Sequence, residues 1–236
     1  MNIIIYYINL KKREDRNIKM LEELKLIKDI PIKRINAVDK DDLNRKKLIE
    51  DKYITNKTEL RLGQIACILS HMKTWKEFIN SDYDYCIILE DDIKINKKYF
   101  NQSFYNILNE LDNIDFDWLY LGRNNLQFKD FYKGKMINKY FYIPKVYGYG
   151  THSYILSKRG AKLKLDYYNT LKNNTYLTNH PLDVLESNKH LIKHFLKKEI
   201  KILSILPIKD YNSNKIIEKF SDEFLFFPID INDSDT

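Results

Sequence analysis

The spacing of apolar positions changes from segment to segment along the chain. Ile3-Ile4-Ile5-Tyr6-Tyr7-Ile8 is an unbroken β-prone run, the pattern of a strand buried on both faces. In the charged segment that follows, Ile18, Met20, Leu21 and Leu24 recur at helical spacing, which predicts a helix. Ile30-Pro31-Ile32-Lys33-Arg34-Ile35 predicts a second short strand, and Asn36-Ala37-Val38-Asp39 leads from it into a highly charged, exposed connection reaching Thr58. From Leu62, the positions Ile65, Ile68, Leu69, Met72, Trp75 and Ile79 mark one face of an amphipathic helix of about five turns. The pattern then predicts a strand over Tyr85–Leu89, a helix over Lys97–Leu111 and a strand over Asp117–Leu121 closed by Gly122. A strand over Gly150–Ser157, a short helix after Gly160-Ala161, a helix after His180-Pro181 and a late strand at Ile202–Leu206 complete the order.

Alternating strands and helices with short connections point to the α/β class, with a mostly parallel central sheet covered by helices. In such sheets ligands bind beyond the carboxyl ends of the strands. One domain over residues 1–210 accounts for the pattern, and residues 211–236 form a C-terminal extension in which Phe224-Leu225-Phe226-Phe227 stands among scattered acids.

Composition supports a folded domain: 44% of the 236 residues are hydrophobic and 14% aromatic, while only 6 Gly and 5 Pro argue against linker-rich or low-complexity architecture. The net charge of +7 suits nucleic acid, an anionic membrane surface or a phosphorylated substrate. The apolar start MNIIIYYINL runs directly into Lys11-Lys12-Arg13, so it reads as a first strand and not an export signal. No window reaches the roughly 18 apolar residues that a spanning helix needs. A soluble, cytoplasmic protein is expected, with membrane-surface contact open. Cys67 and Cys86 sit in apolar surroundings, which predicts small buried hydrophobes and no disulfide or zinc framework.

Candidate chemistry gathers where strands end. Tyr85-Cys86-Ile87-Ile88-Leu89 stops on Glu90, Asp91 and Asp92, placing three carboxylates at the carboxyl end of a buried strand. Two readings stay open on these residues alone: hard oxygen ligands for Mg²⁺ or Mn²⁺, or acids complementing the dipole of a following helix. Ser70 and His71 are neighbours on a helix and point about 100° apart, so they form no nucleophile–base dyad. Arg13 and Arg16 lie just after the first strand, either as an anion site at a helix start or as ordinary surface charge. Gly148 and Gly150 flank Tyr149, permitting a close backbone approach to a ligand or simply a turn. Asp183 follows His180-Pro181-Leu182, as a helix cap or a catalytic acid.

Five blocks in order resemble glycosyltransferase family 25, which includes lipooligosaccharide galactosyltransferases and collagen hydroxylysine galactosyltransferases. They are Tyr7-Ile8-Asn9-Leu10 with Arg13 and Asp15-Arg16; Asn36-Ala37-Val38-Asp39; Gly63 to His71; Leu89-Glu90-Asp91-Asp92; and Gly150 to Ser157 with Gly160-Ala161. Pro181-Leu182-Asp183 is a sixth. The resemblance implies a GT-A-type nucleotide-sugar transferase fold and an inverting, metal-assisted transfer of galactose or glucose from a UDP-sugar. The acceptor it implies is a hydroxyl of a glycan, a lipooligosaccharide or a hydroxylysine. By the same resemblance Asp92 is the direct ligand of Mn²⁺ or Mg²⁺, while Asp91 or Glu90 holds the metal or the donor sugar. Asn9, Arg13 and Arg16 bind UDP, Ser70, His71 and Gly150 line the donor pocket, and Asp183 is the base. His152 stands where relatives carry apolar or small residues.

A phosphoryl or nucleotidyl transferase is the competing enzyme class, but no G-x-x-x-x-G-K-[ST] phosphate loop is present. A noncatalytic module for glycan or nucleic acid is the other alternative. The basic residues are dispersed and form no nucleic-acid motif, so no nucleic-acid partner is expected.

Overall fold

The computed structural model describes residues 1–95, 97–121, 135–143, 151–173, 201–205 and 226–228. Strand β1 (Ile3–Asn9) is buried along its whole length, and β3 (Tyr85–Glu90) along its four central residues. Those two uninterrupted apolar runs are neighbouring interior strands of the sheet, because each can face helices on both sides. The remaining strands are β2 (Ile32–Asn36), β4 (Ile93–Ile95), β5 (Trp118–Tyr120), β6 (Lys135–Met136), β7 (Phe141–Ile143), β8 (Ser153–Ser157), β9 (Ile202–Ile205) and β10 (Phe226–Pro228). The helices are α1 (Glu14–Leu24), α2 (Arg45–Glu50), α3 (Leu62–Ile79), α4 (Lys97–Leu111) and α5 (Lys158–Asn173).

Eight strands form one sheet in the order β2-β1-β3-β8-β5-β9-β7-β6. Its pairings correct the expectation of a mostly parallel sheet. β1–β2, β1–β3 and β5–β9 are parallel, whereas β3–β8, β5–β8, β7–β9 and β6–β7 are antiparallel. The sheet is mixed, and the fold is α/β. A strand buried on both faces reads the same in either direction, so apolar spacing alone does not carry orientation. The reversal of β8 matters for function: its start lies beside the end of β3, with Leu89 opposite Ser153.

Alternation along β1 divides the core. Ile4, Tyr6 and Ile8 pack with Ile65, Ile68, Met72, Trp75 and Phe78 of α3 and Tyr168 of α5 on one face. Ile3, Ile5 and Tyr7 pack with Met20 and Leu24 of α1 and Phe100 and Phe104 of α4 on the other. The connection after β2 is more structured than its charge suggested. It contains a 3-10 turn (Lys40–Asp42) and α2, and Leu48, Ile54 and Leu60 are buried against α3. Three apolar anchors spread among many charges leave no periodicity to read. Arg45 closes this excursion through its guanidinium, which donates to the carbonyls of Thr58 at 3.0 Å and Leu60 at 2.5 Å.

Part of the C-terminal extension returns to the domain. β10 pairs antiparallel with β4, Phe226 opposite Ile95 and Pro228 opposite Ile93, immediately after the acidic triplet. Among the described residues no helix is long and apolar enough to cross a membrane. Gly122, Gly148, Gly150, the segment after His180 and Asp183 lie outside the described residues.

Candidate active site

The ends of β1 and β3 and the start of β8 converge on the acidic triplet. β1 ends at Asn9, and the chain turns into α1, where Glu14 and Asp15 in the first turn complement the helix dipole. Tyr7 fixes that turn by donating its hydroxyl to Asn17 Oδ1 at 3.0 Å. Arg16 is thereby directed to β3, and its Nη1 lies 3.0 Å from Asp91 Oδ1. Asn9 Nδ2 donates to Asp91 Oδ2 at 2.6 Å and to the Arg13 carbonyl at 3.2 Å. Both oxygens of Asp91 are thus held by the protein.

Asp92 differs. Its Oδ2 lies 3.9 Å from Arg16 Nη1, and its Oδ1 is buried with no partner among the described residues. Burial, with the adjacent Glu90 and Asp91 charges adding and Arg16 opposing, pushes its carboxyl up to about 7. Glu90 goes the other way. Burial disfavours its charge, but His71 Nε2 at 3.1 Å and the Thr151 hydroxyl both donate to Oε1 and hold its carboxyl well below the usual range. Three consecutive carboxylates therefore have three different environments.

The other sequence candidates separate equally clearly. Ser70 and His71 are 3% and 1% exposed, so neither lies on an open pocket wall, and His71 meets the acidic cluster at Glu90. Ser70 Oγ accepts from the Val38 amide at 2.8 Å and donates to the Ala66 carbonyl at 2.7 Å, tying α3 to the segment after β2. The guanidinium of Arg13 is turned to Asp15, with Nε and Nη2 each 2.9 Å from a carboxylate oxygen; only its carbonyl meets Asn9. Gly150 and Asp183 fall outside the described residues. Three residues the sequence reading did not select join the cluster: Thr151, Tyr154 and Trp75. Thr151 and Tyr154 both fall in the Gly150 to Ser157 block, but Tyr154 and Trp75 occupy apolar faces where a buried hydroxyl or indole N–H leaves no periodic signal. His152 is 6% exposed, burial pushes its imidazole down towards the neutral form, and its Nε2 has no partner among the described residues.

The donor set at Asp92 fits a hard divalent cation. Asn9 Oδ1 and Asp92 Oδ1 are both buried acceptors without a partner among the described residues, and leaving such an atom bare costs about 1–3 kcal/mol. Oxygen ligands of this kind suit Mg²⁺ or Mn²⁺. A second group, in which ligand atoms of Cys67, His71 and Glu90 lie within 4.8 Å of one another, is softer than those ions prefer. Its His71 and Glu90 are also already bonded to each other. Cys86 is fully buried and burial pushes its thiol far up, in keeping with a packing role.

Comparison with known proteins agrees with this arrangement of blocks. The family model described as glycosyltransferase family 25 (LPS biosynthesis protein) matches residues 2–186, a span holding every candidate residue named above. Over 170 residues the chain is 31% identical to procollagen galactosyltransferase 2 of Homo sapiens, covering 67% of this chain and 26% of that protein. Over 172 residues it is 33% identical to a glycosyltransferase 25 family member of Drosophila melanogaster, covering 68% and 27%. The chain spans about a quarter of the length of these relatives. Among solved structures it is similar to a glycosyltransferase involved in the glycosylation of the major capsid of PBCV-1, with a TM-score of 0.48 and 10% identity over 97% of this chain and 93% of that one. With the match running from β1 past the end of α5, the chain belongs to glycosyltransferase family 25.

Proposed function

We propose that the protein is a GT-A-type glycosyltransferase that moves a hexose, galactose or glucose, from a UDP-sugar to an acceptor hydroxyl with inversion, assisted by Mn²⁺ or Mg²⁺. The observation that carries this reading is the bare, buried Oδ1 of Asp92 just past the end of β3, beside an Asp91 whose two oxygens are already taken by Asn9 and Arg16. Asp92 is the cation ligand. Asp91 orients Arg16 and Asn9 at the mouth of the site, where a guanidinium and an amide suit an anionic diphosphate. Glu90, ionised and accepting from His71 and Thr151, is the group that takes hydrogen bonds from hydroxyls of the donor. A bound divalent cation supplies Lewis-acid compensation for charge developing on the leaving UDP.

A single displacement inverts the anomeric centre and needs a base for the acceptor proton. Asp183 is the proposed base, supported by its late acidic position in the family block. Galactose is the first donor to test, because the human relative is named a procollagen galactosyltransferase. Acceptors of the reading are a glycan, a lipooligosaccharide or a hydroxylysine-containing chain.

The test measures UDP release, and protection against thermal unfolding, with UDP-galactose and UDP-glucose in the presence and absence of Mn²⁺. Wild type is expected to be stabilised by one donor in a Mn²⁺-dependent way, and Asp92→Ala is expected to lose that dependence. A wild type that no UDP-sugar protects sinks the transferase reading.

A further inference from the structure

The geometry points to a buried relay, Trp75–Tyr154–His71–Glu90, that fixes the orientation of the donor-binding carboxylate by fixing the tautomer of His71; this rests on the function proposed above. Trp75, Tyr154 and His71 are each at most 1% exposed, so no bulk water completes their hydrogen bonds. The indole of Trp75 donates to Tyr154 Oη at 2.9 Å, since an indole N–H has no other role. Tyr154 Oη also lies 2.7 Å from His71 Nδ1, and His71 Nε2 lies 3.1 Å from Glu90 Oε1.

The directions follow from what each group is able to do. Glu90 Oε1 already accepts the Thr151 hydroxyl and so faces His71 as an acceptor, which requires Nε2 to carry a proton towards it. Of the two neutral tautomers, only the Nε2–H form leaves Nδ1 free to accept the Tyr154 hydroxyl proton. That hydroxyl, already accepting from Trp75, then donates at its short contact. The Nδ1–H tautomer would set two lone pairs against each other at Glu90. The rings have little room to find another arrangement: His71 stacks on Tyr154 with centroids 5.8 Å apart, and Trp118 meets Tyr154 edge-on at 6.5 Å. Thr151 adds a second donor to the same Glu90 oxygen, which leaves Oε2 as the outlet towards the donor. His71 and Tyr154 are thus positioning residues that act through Glu90 and touch no substrate.

The experiment combines NMR of the His71 ring nitrogens in the free protein at about pH 8 with donor kinetics. Five histidines in the chain allow assignment by single substitution. Wild type is expected to carry the proton on Nε2, and Tyr154→Phe to keep it there, since Glu90 still demands it, while Nδ1 loses its partner and the ring loses its anchor. Tyr154→Phe and His71→Met are each expected to raise the donor KM about 10-fold, the scale seen when partners that orient a site ligand are removed, with kcat little changed. His71→Gln, which keeps an N–H near the Nε2 position, is expected to recover most of that loss, and it judges the relay even if Tyr154→Phe folds poorly. A wild-type proton on Nδ1 or on both nitrogens overturns the inference. So does a His71→Gln no better than His71→Met, or a Tyr154→Phe with unchanged donor KM. Failure of the transferase reading looks different: wild type would bind no UDP-sugar, and the tautomer measurements would still decide the relay.

Discussion

The amide nitrogen of Asn9 stands 2.6 Å from Oδ2 of Asp91, joining the ends of β1 and β3 across 82 positions of sequence. Arg16 takes the other oxygen at 3.0 Å, so Asn9→Ala would leave a largely buried carboxylate oxygen bare. Losing a hydrogen bond to a charged group costs about 1.5–3 kcal/mol, and in a domain of this size each kcal/mol lowers Tm by about 2–4 °C. Asn9→Asp is expected to be worse than Asn9→Ala above pH 6, because two like charges would face each other. Calorimetry of both variants checks this; an Asn9→Asp as stable as wild type at pH 8 contradicts it.

Asp92 gives a pH dependence of defined sign. Its folded carboxyl titrates at about 7 against 3.8 for the free group, so the stability tied to its neutral form is complete below pH 3.8 and is lost as the pH rises through about 7. Its side chain remains 39% exposed, and solvent screening tempers the size of the effect. Asp92→Asn is expected to flatten this decline, making the metal-free variant more heat-stable than metal-free wild type at pH 8. Added Mn²⁺ is expected to raise Tm of the wild type and not of the variant. Thermal melts from pH 4 to 8 with chelator or Mn²⁺ are the check, and a variant that parallels wild type in both series refutes the assignment.

What could be read in the sequence follows from how each feature is encoded. The runs Ile3–Ile8 and Tyr85–Leu89 announce two interior strands because burial on both faces writes itself as unbroken apolarity. The termination of the second on Glu90, Asp91 and Asp92 marks the candidate site. Strand direction was not written there: β8 runs antiparallel between β3 and β5, and only its reversal brings Thr151 to Glu90. Nor does a triplet of like residues say which one is bare. Asp91 and Asp92 are chemically equivalent in sequence and are distinguished by Asn9 and Arg16, which are brought in by tertiary contacts. Ser70 and His71 lie on the helix that the pattern predicts, but their depth is not legible in it, since periodicity reports a helix face and not what lies above it. β4 and β10 are short and become strands only through their mutual pairing.

Gly160 tests the packing that supports β8 from behind. A Cβ there would lie 2.2 Å from the Asp117 carbonyl oxygen and 3.0 Å from its carbon. That backbone has little freedom, because Asp117 receives Arg159 on both carboxylate oxygens, at 2.7 and 2.6 Å, and Ser157 at 2.9 Å. Forcing a methyl group into such a contact costs about 1–3 kcal/mol. Gly160→Ala is expected to lower the urea midpoint with the slope unchanged, while donor KM stays near wild type. A denaturation curve superimposable on wild type would show that α5 shifts freely over β5.

Ser70 separates a structural clasp from a donor contact. Its hydroxyl is the acceptor for the Val38 amide at 2.8 Å and returns its own proton to Ala66 at 2.7 Å. Ser70→Ala strips the amide of its partner at a position only 3% exposed, which costs about 1–3 kcal/mol. A side chain that bound the donor would show the reverse: a large rise in donor KM with little change in stability. Ser70→Ala is therefore expected to melt lower while keeping donor KM within about 3-fold of wild type, a difference under 1 kcal/mol of binding. Ser70→Thr keeps the hydroxyl and is expected to restore part of the lost stability, because the methyl group it adds must still fit between α3 and Val38. Melting curves and donor titrations on the same preparations decide the point. A stable Ser70→Ala with a strongly raised KM would move Ser70 from the clasp to the donor pocket.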